Sequence, residues 1–285
     1  MTFYLPVLGA VALATGTILE RLVLMRRRVS VTLYQTSVFF AIVLSLLPLL
    51  YFFWRLDSQA LLPVNVFIFA LVILFSMFAN LLTFYAVKGE ILNNIEPARV
   101  LESLFVIFLA IIFSFFFGEE LYERNARVVV PALIAGFALI LSHIRRNELV
   151  FNKYFAAAIF GSFFFATELI ITRLILDFYT PISFYFFRSS AIFLISFLIF
   201  RPNFSRLTKK LRWEILITGA VWMAFRVLVY YGYLQVGIVF TTLLIMLGPV
   251  FVYIFVHVFL KEKMSWKNFA AAVIIVGAIL YASFV

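Results

Sequence analysis

The chain is 285 residues long, 66% hydrophobic and only 13% charged, with a mean hydropathy of +1.13. Soluble domains are roughly half apolar and a quarter charged, so a soluble fold is excluded. The absence of cysteine excludes disulfides and thiolate-bound metals, and a net charge of +10 is read first as a marker of membrane topology rather than of nucleic-acid binding.

A hydrocarbon core about 30 Å thick needs roughly 20 apolar residues per helix. Ten such runs follow one another: Phe3 to Leu24, Val31 to Trp54, Val64 to Val87, Ile95 to Phe117, Ala126 to Ile144, Tyr154 to Leu176, Pro181 to Phe200, Trp213 to Val236, Val239 to Leu260, and Lys267 to Val285. Continuous runs rather than short alternating segments mean helices, not a β-barrel. The fold class is an all-α membrane protein with ten transmembrane helices. The first run is as long as a full span and no basic segment precedes it, so it reads as a retained helix and not a cleaved signal. Trp54, Tyr154, Trp213, Trp266 and Tyr281 stand at span ends, where aromatic anchors belong. Almost nothing but Gly237 separates the eighth and ninth runs, which predicts a tight hairpin.

The two halves, 1–150 and 151–285, read as a duplication. Gly9, Ala14-Thr15 and Arg21-Leu22 match Gly161, Ala166-Thr167 and Arg173-Leu174, and Tyr34 matches Tyr185, Tyr85 matches Tyr231, and Glu119 and Asn125 match Glu262 and Asn268. Five helices per half is an odd number, so the second half enters the membrane in the opposite sense: two inverted five-helix repeats. With the N-terminal side named side A, most of the 23 Lys and Arg fall on side B, among them Arg26 to Arg28, Lys88, Arg145, Arg146 and Arg201 to Arg212. Side B is therefore expected in the cytoplasm and both termini outside.

The second half carries Gly248-Pro249, a Leu260-Lys261-Glu262-Lys263 turn and a small-residue helix with Gly277. The first half has a similar Phe117-Gly118-Glu119-Glu120-Leu121 turn and Leu133 to Gly136. With Phe187-Arg188-Ser189 on the seventh helix, this resembles the EamA-type repeat of the drug/metabolite transporter superfamily in two copies. Val106 stands where the first copy would carry its Pro, and Gln35 to Ser37 replace its second-helix Arg. Relatives of this type usually start in the cytoplasm, against the charge distribution here. The resemblance implies transport.

Ionisable side chains in hydrocarbon cost several kcal/mol and need a partner, a wet cavity or a function. At 1.5 Å rise per residue, Glu168, Arg188 and Arg226, on three different helices, all come out roughly 20 Å from the side B boundary. They form either a structural ion pair or a midplane binding site with surplus positive charge. The second reading favours a solute bearing a carboxylate or phosphate. Arg99 and Glu102 are three apart on one face and read as a local pair. Glu20, Arg21 and Arg173 lie toward span ends, where they can snorkel. Asn80 aligns with Arg226, and Tyr85, Tyr185 and Tyr231, with Tyr34, Tyr230, Tyr233 and Trp222, are candidates for an aromatic pocket. His257 reads as a packed side chain rather than a proton relay, and His143 as part of the basic rim. Small residues Ala270 to Ala272 and Gly277 suggest close helix packing and a homodimer face.

The leading expectation is a secondary transporter of a small polar metabolite, working by alternating access and driven by protons or a counter-substrate. With no Gly-rich phosphate loop and no soluble domain, no cofactor and no nucleic acid partner is expected. An intramembrane lipid-acting enzyme is disfavoured by two His residues and no nucleophile motif. A non-transporting scaffold requires the buried charges to be dispensable.

Overall fold

The computed structural model describes residues 3–90, 92–119, 121–143, 151–252 and 266–284, without the side chains of 92–96 and 143. His257, the turn at Lys261 to Lys263, Arg145 and Arg146, and the side chains of Glu96 and His143 lie outside the described residues. The helices are α1 (Tyr4–Leu24), α2 (Val31–Phe53), α3 (Pro63–Gly89), α4 (Leu92–Phe117), α5 (Ala126–His143), α6 (Lys153–Arg173), α7 (Pro181–Phe200), α8 (Lys209–Val236), α9 (Ile238–Ile245) and α10 (Trp266–Ser283). Eight are long and apolar enough to cross a membrane, and the stretches Ala126–Ser142 and Ile238–Val252 are shorter apolar helices. No β-strand occurs among the described residues.

Local chemistry sets the helix starts. Ser30 Oγ accepts from Leu33 N–H at 3.2 Å, Asn152 Oδ1 from Tyr154 and Phe155 N–H at 2.9 and 3.0 Å, and Thr208 Oγ1 from Leu211 N–H at 3.3 Å. Each cap satisfies amides that the first turn leaves unpaired. The Thr208 cap starts α8 at Lys209, ahead of the expected Trp213. Helix α6 ends at Arg173, short of the expected Leu176, where a 3-10 turn, Leu176–Phe178, begins. α9 is interrupted by a turn at Met246 before the helix resumes over 247–252. Pro249 has no N–H for the Ile245 carbonyl and its ring crowds that oxygen, which breaks the ladder there.

The expected hairpin is present, with Gly237 alone between α8 and α9. Its φ of 83° and ψ of 169° belong to a region populated essentially by glycine. Glu123, from the α4–α5 connection, fills the space a side chain would take and accepts from Val239 and Phe240 N–H at 2.7 and 3.1 Å. Gly237→Ala is expected to lower stability by about 1–3 kcal/mol, and Glu123→Ala by about 1 kcal/mol as a lost cap. Glu123→Gln, which keeps an acceptor oxygen, should cost less. Thermal melts of the three purified variants check the order.

The tightest helix pairs join the two halves of the chain: α3 with α6, α4 with α6, α1 with α8, α2 with α7 and α5 with α10. Gly161 shows why α6 approaches α3 so closely. A Cβ there would lie 2.7 Å from Thr83 Oγ1 and 3.4 Å from the Ala79 carbonyl. Small residues that let backbones meet are the usual substitute for hydrophobic drive inside a bilayer. Large apolar side chains such as Phe116, Leu198 and Ile274 cover the outside. On α10 a side chain at Gly277 would meet nothing within 4 Å.

Loops group by side. On side A, Leu56 and Tyr179 form an isolated antiparallel bridge, Asp57 N–H donates to Phe178 O at 2.9 Å, and Thr180 Oγ1 donates to Phe53 O at 2.6 Å. On side B, Lys88 Nζ donates to Leu24 O and Val29 O at 3.1 and 2.6 Å, and Arg26 pairs with Glu214 at 3.4 Å.

Candidate functional site

Glu168 on α6 is fully buried and sits between two guanidinium groups. Arg188 Nε on α7 is 3.2 Å from its Oε1, and Arg226 Nη1 on α8 is 3.8 Å from its Oε2. Tyr230 Oη and Thr172 Oγ1 donate to the same Oε1 at 3.1 and 3.3 Å. Arg188 also donates through Nη2 to Ser76 Oγ on α3, whose backbone carbonyl accepts from Asn80 Nδ2 at 2.7 Å. The equal depths read from the sequence thus correspond to direct contact.

The two arginines are held differently. Arg188 is 1% exposed, bonded to Ser76 and close to Glu168, with its guanidinium carbon 5.3 Å from the Tyr185 ring centre. The Nη1 of Arg226 has no hydrogen-bond partner, and its guanidinium carbon lies 5.0 Å from the Phe165 ring centre. At 3.8 Å from Glu168 it gains Coulomb attraction without closing a hydrogen bond.

A cavity of about 160 Å³ opens beside these groups, lined by residues from α1 to α9. Arg188, Arg226, Asn80, Tyr185 and Glu102 line it, as do Glu20 and Arg99. Glu20 lies four residues from the side B end of α1 and Arg99 seven residues into α4 from side B, so the cavity extends from the depth of Arg226 toward side B.

Two expectations are corrected here. Glu20 does not snorkel. It is 2% exposed, its Oε1 has no hydrogen-bond partner, and Arg99 Nη2 is 3.9 Å away. Arg99 therefore faces α1 rather than closing the local pair with Glu102, because the packed bundle brings a buried carboxylate from another helix within its reach. The expected surplus of positive charge is also gone: with Glu168, the site gathers Glu20, Glu102 and Glu168 against Arg99, Arg188 and Arg226.

Tyr85 and Tyr231 are not among the lining residues. The Tyr85 ring lies on Tyr154 with centroids 5.0 Å apart, and Tyr231 is half-buried against the core. Arg21 donates to Val87 O and Glu90 O at 3.4 and 3.0 Å, and Arg173 pairs with Asp177 at 2.6 Å. Ser76 and Trp222 join the site although the sequence reading did not single out Ser76 and gave Trp222 only as one of many aromatics. No group of three or more His, Cys, Asp or Glu side chains that could hold a metal occurs among the described residues.

Residues 152–284 match the EamA-like transporter family. The match leaves out the first half, where Val106 and Gln35 to Ser37 replace the Pro and Arg of the motif. No curated protein matches. A crystal structure of a protein aligns with 99% of this chain and 95% of its own at a TM-score of 0.70 and 15% identity, a likeness of fold alone. The match over the second half and the eight long apolar helices support a multi-pass integral membrane protein.

Proposed function

We propose that this protein is a secondary transporter of a small polar metabolite, working by alternating access between two inverted five-helix halves, and that the acidic group of the solute binds Arg226. The observation that carries the reading is the loosely held Arg226 guanidinium lining a cavity near mid-depth. A planar, permanently charged fork with an unused N–H is suited to a carboxylate or phosphate. The packing supports two halves related by exchange: under the repeat α3 with α6 becomes α8 with α1, and both pairs are tight, while α2 with α7 and α5 with α10 map onto themselves.

Transport rather than lipid chemistry is tested by counterflow in proteoliposomes. Saturable exchange of a carboxylate- or phosphate-bearing metabolite is expected, and its absence across a broad metabolite panel refutes the reading. The orientation has a separate check in this cysteine-free chain. Single Cys residues placed at Arg27 and Arg206 are expected to resist impermeant thiol reagents in intact cells, whereas one at Ser58 should react. The opposite pattern places side B outside.

A further inference from the structure

Away from the Arg226 end, the cavity is lined by a buried carboxylate, Glu20, and by Trp222. Glu20 Oε1 is buried with no hydrogen bond closed on it. The Trp222 indole stands beside the same carboxylate, and both line the cavity. Gly16 makes room for the indole, since a Cβ there would lie 3.3 Å from it. A buried carboxylate costs several kcal/mol unless paired and bonded, and Arg99 at 3.9 Å is too far to bond it.

We propose that Glu20, with Trp222, is a subsite for an ammonium group, so that the solute is dipolar, its acidic end on Arg226 and its ammonium on Glu20. The inference rests on the transport reading and adds the class of cargo. An ammonium brings three N–H donors: Glu20 accepts from them, and the indole ring attracts the charge. Binding displaces Arg99 from Glu20. Glu102, three residues along the same helical face, is then in place to receive it.

Charge arithmetic favours the same class. The site gathers three carboxylates and three guanidiniums, so a solute with no net charge leaves the balance intact. A bare anion or cation would bury an uncompensated charge at low dielectric. Trp222 precedes Arg226 by one turn of α8, about 6 Å along the axis. That spacing fits an acid and an amine separated by a short chain of bonds better than two charges on one carbon.

The experiment uses the purified full chain in nanodiscs and a series of amino acids from glycine through 4-aminobutyrate to 6-aminohexanoate, each with its alkanoate and alkylamine of equal length. Binding is read from thermal stabilisation and tryptophan fluorescence. One member beyond glycine is expected to bind about tenfold or more tighter than both its monopolar counterparts. Glu20→Gln should bring its affinity down to that of the alkanoate, and Arg226→Gln to that of the alkylamine. Trp222→Phe, which keeps an aromatic ring, should weaken binding less than Glu20→Gln and so guards against a variant that merely folds poorly. If alkanoates bind as well as the amino acids and Glu20→Gln changes nothing, the ammonium subsite is refuted and the Arg226 reading stands. If alkylamines alone bind, and binding survives Arg226→Gln, the anionic half of the reading falls too. Binding by none of the compounds overturns the dipolar-cargo inference, whereas the counterflow panel decides transport independently.

Discussion

Glu168→Gln is expected to cut gradient-driven uptake in proteoliposomes by about tenfold or more, about 1.4 kcal/mol in the barrier, while leaving exchange of the same solute within about threefold. The amide keeps an acceptor for Tyr230 and a similar volume, but it loses the charge that balances Arg188 and Arg226. In exchange the solute's own anionic group stays near the arginines through each turnover. In net uptake the empty site must reorient, and two buried guanidiniums without a counter-charge oppose that step. Wild-type rates in both assays would reduce Glu168 to a structural tie. Glu168→Ala goes further, because it also removes the acceptor of Tyr230 and the side-chain volume between the two buried cations: a loss of about 3–5 kcal/mol is expected, visible as a lower melting temperature.

Arg226→Gln and Arg188→Gln should part company. Arg226 lines the cavity, and its Nη1 closes no hydrogen bond and makes only a long contact with Glu168. Its loss should weaken binding of an acidic solute by about 30-fold or more, the scale of a truncated buried charge pair, with a small change in melting temperature. Arg188 is enclosed, bonded to Ser76 and close to Glu168, tying α7 to α3 and α6. Its loss should fall first on stability, by about 3 kcal/mol or more. The opposite assignment, with Arg188→Gln abolishing binding in a well-folded protein and Arg226→Gln neutral, would move the acid anchor to α7.

The helices were legible because hydrocarbon demands long apolar runs, and the ends of α7 agree with the expected span residue for residue. The misplaced ends have local causes, such as the Thr208 cap that extends α8 and the Pro249 that interrupts the ninth span. In the site, counting residues from the ends brought Glu168, Arg188 and Arg226 to one depth, since depth along a helix is linear in sequence. Azimuth is not. Arg99 lies three residues before Glu102 yet faces Glu20 on another helix, a choice set by how α1 and α4 pack. Glu20 was read as a span-end residue for the same reason, because four residues from a helix end says nothing about whether the side chain meets lipid or cavity. Ser76 carries no signal in sequence beyond being polar in an apolar run.

The loop clasp across side A has a thermodynamic consequence. It consists of the Leu56–Tyr179 bridge with bonds from Asp57 N–H to Phe178 O at 2.9 Å, Arg55 N–H to Ser183 Oγ at 3.1 Å, and Thr180 Oγ1 to Phe53 O at 2.6 Å. Each such bond nets about 1 kcal/mol once its exchange with water is counted. A ligand must supply about 5.5 kcal/mol of differential affinity to turn a 1:99 equilibrium into 99:1. In the alternating-access cycle proposed above, such a clasp would bias the resting population toward closure on side A and still let one well-bound solute molecule reverse that bias. A covalent or deeply buried fastening would hold the protein in a single population whatever it bound.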